Sequence, residues 1–108
     1  MSKKLQKTKS NTPRSEKDIE LEIRKHLERN LGAYVIKQHG SAFTKPGIPD
    51  LTLCLNGWFI GIEVKNEKGI VSSVQKVHIK NIKKAGGIAF VARSLEEVID
   101  KLEEADII

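Results

Sequence analysis

Asp50, Glu63 and Lys65 are residue types that, once brought together, suit chemistry at a phosphate, and their spacing says why they should meet. Asn56-Gly57 lies midway between Asp50 and Glu63, and Asn-Gly between alternating segments is a strong signal for a two-residue hairpin. Asp50 stands about six residues before that turn and Glu63 about six after it. Antiparallel pairing would set the two carboxylates opposite each other, roughly 5 Å apart at the backbone. Glu63 and Lys65, at i and i+2, then share one strand face, opposite the face of Trp58, Ile60, Ile62 and Val64. Two carboxylates that close repel, and a divalent cation relieves the repulsion. Oxygen ligands alone suit Mg²⁺ or Mn²⁺ rather than zinc. A cation so held polarises a phosphate oxygen and acidifies a water, and an adjacent ammonium stabilises developing charge. The set points to phosphodiester hydrolysis.

The flanking segments must supply the frame. Ser15 followed by Asp18 reads as a variant capping box. Ile19, Ile23, Leu27 and Leu31 then form an i, i+4 stripe that ends at Gly32. Tyr34, Val35 and Ile36 predict a strand from Ala33 to about His39. Gly40, Pro46, Gly47 and Pro49 mark a loop. Two hairpin strands follow, from Asp50 to Leu55 and from Trp58 to Lys65. Ser72 and Gln75 have capping-box spacing ahead of a helix from about Ser73 to Ala85, with Val74, Val77, Ile82 and Ala85 on its apolar side. Gly86-Gly87 ends it. Ile88 to Ala92 reads as a buried strand, and Ser94 with Glu97 caps a last helix bearing Leu95, Val98, Ile99 and Leu102. The order is α-β-β-β-α-β-α: an α/β fold with one mixed sheet flanked by helices.

Composition narrows the function classes. The 108 residues, 39% hydrophobic and 31% charged, suit one globular domain. No apolar run approaches the roughly 20 residues that cross a bilayer, so no membrane role is expected, and the polar basic start is unlike a secretory signal. A single cysteine, Cys54, excludes an internal disulfide framework and suits a reducing, cytoplasmic setting. One Cys and three scattered His offer no zinc spacing. The net charge of +5 resides in Lys3, Lys4, Lys7, Lys9 and Arg14, because the remainder from residue 15 balances. Residues 1–14 therefore read as a basic, disordered tail, either solubilising or tracking a phosphate backbone, and 15–108 as the single folded domain. Lys76, Lys80, Lys83 and Lys84 form a basic helix face suited to the same kind of partner.

A Pro-Asp, a hairpin and a Glu-X-Lys, here Pro49-Asp50 and Glu63-Val64-Lys65, resemble the PD-(D/E)XK (restriction-endonuclease-like) nuclease core. The wider set resembles a stand-alone VRR-NUC domain, the virus-type replication-repair nuclease family. It comprises Glu16-Lys17-Asp18-Ile19-Glu20, Gly47-Ile48-Pro49-Asp50, Glu63-Val64-Lys65 and Ser73-Val74-Gln75. The resemblance covers about residues 15–100. It implies that Asp50 and Glu63 bind Mg²⁺ or Mn²⁺ through side chains and Val64 through its carbonyl. Lys65 would be the catalytic lysine, and Gln75 would position water or phosphate. It also implies a metal-side glutamate on the first helix. Glu16 is preferred over Glu20 for the Glu-x-x-Ile start. The family's virus-type members leave a phage or prophage source open.

Each of these residues also has a plainer reading. Asp50 after Pro49 suits a strand start, Glu63 and Lys65 suit a solvent-facing edge, Gln75 suits a cap, and Glu16 and Glu20 suit a first helical turn. Their joint occurrence favours the catalytic reading. The resemblance then implies a structure-selective DNA endonuclease acting on branched DNA such as Holliday junctions. Symmetric cutting of a junction needs two sites, hence a homodimer, with Ile107-Ile108 and exposed sheet as possible contacts. A non-catalytic nucleic-acid-binding module is the alternative from another class. A replication-repair or restriction-type endonuclease is the alternative within the enzyme class, less expected because 108 residues leave little room for sequence-reading elements.

Overall fold

Alternation in the hairpin and the i, i+4 stripe of the first helix should meet in a shared core, and they do. The computed structural model describes residues 13–39 and 45–108. Its elements run α1 (Glu16–Arg29), β1 (Tyr34–Lys37), β2 (Leu51–Leu55), β3 (Trp58–Val64), α2 (Ser73–Lys84), β4 (Ile88–Ala92) and α3 (Leu95–Glu104). The four strands form one sheet in the order β1-β2-β3-β4, the first two pairings antiparallel and the last parallel. The expected element order therefore holds. The expected tail falls largely on residues 1–12, which lie outside the described residues.

The two faces of the sheet differ in their cover. Leu51, Leu53 and Leu55 of β2, Ile60, Ile62 and Val64 of β3 and Phe90 and Ala92 of β4 pack with Ile19, Ile23 and Leu27 of α1 and Val98 and Leu102 of α3. Among the described residues this is the main apolar core. Full burial of each large aliphatic side chain contributes roughly 1.5–3 kcal/mol before chain entropy is counted. Helix α2 lies on the other face, against β3 and β4. Gly61 pairs with Ala89 in one row of that face, and a Cβ at Gly61 would come within 2.9 Å of Ile82 Cδ1 and 3.2 Å of Pro49 Cγ. Two small residues in register let the helix approach closely.

Local signals act as their chemistry dictates. Ser15, Ser72 and Ser94 each accept a hydrogen bond from the backbone N–H three residues on, capping α1, α2 and α3. Asn56 and Gly57 both have positive φ, at 51° and 84°, as a type I′ hairpin turn requires. The turn joins Leu55 and Trp58 as a pair. Four expectations need correction. β1 is shorter than Ala33–His39, although the Gln38 N–H still donates to the Asp50 carbonyl at 2.8 Å. Trp58 faces the core side by alternation but stands at the hairpin tip and is exposed. Val74, Val77 and Ala85, expected on the apolar side of this helix, are exposed rather than buried, and Ile82 is half-buried, because α2 covers only half of its face of the sheet. Ile107, expected as surface, belongs to the core, while Ile108 is exposed.

Candidate active site

Register fixes the geometry of the carboxylates. Leu51 pairs with Ile62, so the next position along the ladder sets Asp50 against Glu63, on the α2 face. Asp50 stands just outside β2, in the turn after the buried Pro49. Its Oδ2 accepts a hydrogen bond from the Val64 N–H at 2.8 Å. That bond aims the Asp50 side chain across the hairpin toward the Glu63-Val64-Lys65 segment.

Glu63 is 2% exposed, because α2 covers the face it occupies. A solvent-facing edge is therefore not where it sits. Its Oε2 accepts from Gln75 Nε2 at 2.8 Å and lies 3.5 Å from Lys65 Nζ. Its Oε1 is buried without a hydrogen-bond partner among the described residues. Burial, reinforced by the charge of Asp50, pushes the Glu63 carboxyl up to about 7 from an ordinary 4.5, and the Lys65 ammonium opposes that rise. Such an acid lacks one favourable charge beside it.

Gln75 holds both roles that the sequence offers it. Its side-chain oxygen accepts from the Ser72 N–H at 2.8 Å, closing the capping box, and its amide nitrogen donates to Glu63. The cap thus orients the amide that reads the carboxylate.

The two glutamates of α1 separate clearly. Glu20 is 4% exposed, and its oxygens engage Lys37 Nζ at 3.1 Å and Arg24 Nε at 3.2 Å. Glu16 reaches the other end of the site. Its Oε2 lies 2.6 Å from the position a Cβ would take at Gly69, and Lys65 Cδ lies 3.0 Å from the same point. Glu16, Glu20, Lys37 and Asp50 border one cleft with Lys17. Among the described residues, no three His, Cys, Asp or Glu side chains gather into a metal-sized cluster. Asp50 and Glu63 are brought together, while Glu16 stands apart from them across the cleft.

Lys37 and Arg93 went unnoticed in the sequence. Lys37 faces α1 from β1 and neutralises Glu20, and the Glu20–Arg24 spacing on one helix face was the only local hint of that network. Arg93 Nη1 donates to the carbonyls of Asn66 at 2.6 Å and Gly69 at 2.9 Å. Bonds between a side chain and distant main-chain atoms leave no periodic trace.

The residues present fit a hard divalent cation. Paired carboxylate oxygens, one of them buried and unpartnered, are the donor chemistry that Mg²⁺ or Mn²⁺ prefers. Fold and site together define a nuclease-fold domain. A solved structure described as a VRR-NUC domain is similar to this chain, with 28% identity and a TM-score of 0.65, over 84% of this chain and 97% of that one. Another, described as a VRR-NUC domain protein, has 20% identity and a TM-score of 0.68 over 85% and 88%, and at that identity it shows the fold alone. No family model and no curated protein matches the chain. Together with the motifs, the first of these likenesses makes the chain similar to a VRR-NUC domain over most of its length. No helix among the described residues is long and apolar enough to cross a membrane.

Proposed function

We propose that the protein is a metal-dependent, structure-selective DNA endonuclease that hydrolyses phosphodiester bonds in branched DNA such as Holliday junctions. The observation that carries this reading is the meeting of Asp50, Glu63 and Lys65 at one end of the hairpin, where Lys65 and Gln75 engage Glu63 Oε2 and leave Oε1 buried and unpartnered. Asp50, Glu63 and the Val64 carbonyl would hold Mg²⁺ or Mn²⁺, with Glu16 at the far side of the cleft. The cation, when bound, supplies Lewis acidity at the scissile phosphate and lowers the pKa of a water. Lys65 donates to the attacking water or to the phosphate oxygen that gains charge. Gln75 keeps Glu63 oriented, and Asp50 is kept oriented by the Val64 N–H.

Exposed lysines on α2, Lys76, Lys80, Lys83 and Lys84, lie on the helix that covers Glu63, where they would track a phosphate backbone. Symmetric junction cutting requires two copies, so the active form is a homodimer. Tyr34, Cys54 and Phe59 form one exposed row across β1, β2 and β3 beside α2, and that row offers a second copy uncharged surface to cover. A non-catalytic module would have no need of Asp50, Glu63, Lys65 and Gln75 together.

The test is a panel of four-way, flap, single-stranded and plain duplex DNA with Mg²⁺ or Mn²⁺, and with Lys65→Ala and Asp50→Asn as controls. Cleavage of the four-way substrate that both variants lose supports the reading. Binding without turnover across metals would move it to the non-catalytic module. Preference for flap or duplex DNA would move it to the other endonuclease class.

A further inference from the structure

We propose that Arg93 is a positioning residue for this site, acting through Gly69, whose backbone it holds as a spacer between Glu16 and Lys65. The inference rests on the nuclease reading but uses residues outside the motifs that suggested it. Arg93 follows β4, which runs parallel to β3. Val64 pairs with Ala92, and the Lys65 N–H donates to the Ala92 carbonyl at 3.1 Å. Arg93 therefore leaves the sheet beside the point where Lys65 leaves it.

Its guanidinium is directed at the turn that follows Lys65. One nitrogen, Nη1, donates to both the Asn66 and the Gly69 carbonyls, at 2.6 and 2.9 Å. The turn is closed within itself by the Gly69 N–H to the Asn66 carbonyl, at 3.1 Å. Asn66 Nδ2 donates to the Arg14 carbonyl at 3.1 Å, just ahead of α1. The turn is thus fastened to β4 on one side and to the start of the helix that carries Glu16 on the other.

Gly69 occupies the narrowest point. A Cβ there would lie 2.6 Å from Glu16 Oε2, 3.0 Å from Lys65 Cδ and 3.2 Å from Lys65 Cβ. The position is set by close approach and not by a left-handed backbone: an added Cβ would swing the Glu16 carboxylate aside and press on the Lys65 stem by a few tenths of an ångström. Lys65 is only 13% exposed along its side chain, so the backbone of Gly69 is part of the wall that fixes where its ammonium points. Release of the Arg93 clamp lets that wall recede. A side chain on Gly69 pushes it inward.

Steady-state cleavage with Mg²⁺ or Mn²⁺, on the DNA that the wild type cuts best, tests this with Arg93→Ala, Arg93→Lys and Gly69→Ala. A displacement near one ångström at a reacting group lowers turnover by roughly 10–100-fold. Arg93→Ala and Gly69→Ala are expected to show such a loss in kcat, with KM little changed. Arg93→Lys, which restores one donor to the turn, is expected to recover part of it. A purely structural Arg93 would lower the melting temperature and leave kcat of the folded protein unchanged, and that result overturns the proposal. Should Arg93→Ala fail to fold, Gly69→Ala decides, since it keeps Arg93 in place, and unchanged kcat in it also overturns the proposal. A crystal structure of metal-free Gly69→Ala gives a readout independent of activity. The Lys65 Nζ to Glu63 Oε2 separation, now 3.5 Å, should open beyond the ion-pair limit of about 4 Å, and an unmoved Lys65 refutes the spacer role. If the wild type cuts no DNA, the nuclease reading fails, while this displacement still tests the clamp.

Discussion

Replacing Glu63 by Gln should make the metal-free protein more stable at alkaline pH, and by an amount that the site itself sets. The carboxyl titrates near 7 in the folded chain against an ordinary 4.5. A raised acid pKa means that the folded state holds its proton longer than the unfolded state does. Stability is therefore intact below the unfolded value, falls as pH rises from about 4.5 to about 7, and stays lowered above that. Each unit corresponds to about 1.4 kcal/mol, so the wild type should lose on the order of 2–3 kcal/mol between pH 5 and pH 8 relative to Glu63→Gln. The amide keeps the shape and carries no charge, and titrating groups distant from the site cancel in the comparison. Urea unfolding in EDTA at the two pH values measures it. With slopes of about 1–3 kcal/mol per molar for small proteins, the two midpoints should diverge by about 1 M or more as pH rises. Parallel pH profiles for the two proteins would refute the placement of Glu63 as a buried acid beside Asp50. Adding Mg²⁺ or Mn²⁺ at pH 8 should reverse the ranking, because the wild type gains a cation that the amide holds poorly.

Other substitutions separate chemistry from scaffold. Lys65→Ala should lower cleavage by at least about 10²-fold with little loss of melting temperature, measured on the same preparation by single-turnover kinetics and thermal unfolding. Gln75→Ala should cost roughly 1–2 kcal/mol in urea unfolding, because it removes both the reciprocal half of the α2 cap and a bond to Glu63, and it should lower cleavage as well. Gly47→Ala should destabilise more than Gly32→Ala. Both need a left-handed backbone, at φ 84° and 72°, a strain of about 1–2 kcal/mol, but only Gly47 packs directly against Val74. If the proposed dimer forms through the Tyr34 row, Tyr34→Lys should shift sedimentation velocity from dimer to monomer; a wild type that sediments as a monomer refutes the dimer, and a dimer that survives the substitution places the contact elsewhere.

The hairpin was legible because its turn fixes its register. Asn56-Gly57 sets Leu55 against Trp58, and the ladder then carries Asp50 to Glu63 without any tertiary information. The caps at Ser15, Ser72 and Ser94 were legible for the same reason: each joins residues three apart. Cover was not legible. Alternation assigns Trp58 to the core face, but a helix must reach the strand end to bury it, and none does. It assigns Glu63 to the opposite face, yet whether that face meets water depends on where α2 lands. Gly61 and Ala89 admit the helix there, and their pairing joins strands that the sequence separates by a whole helix. The Lys37–Glu20 and Arg93–Gly69 contacts are hidden for a similar reason, since each spans elements whose relative placement follows from packing.

Helix α2 explains how a buried carboxyl can be held beside a second one. Its first turn contains no acid, so the positive end of the helix faces the site uncompensated. Gln75 sits in that turn with its oxygen committed to the Ser72 N–H, which leaves only the amide nitrogen to face Glu63. Rotation of the amide would break the cap and set oxygen against oxygen at once. A single side chain therefore couples the start of α2 to the orientation of Glu63, and Lys65 adds a charge on the same Oε2. The other oxygen, Oε1, is left without a partner. Burial and the neighbouring Asp50 together outweigh the lysine and push the carboxyl up. That unpartnered, oriented oxygen is where a bound cation of the proposed reading would supply the missing positive charge.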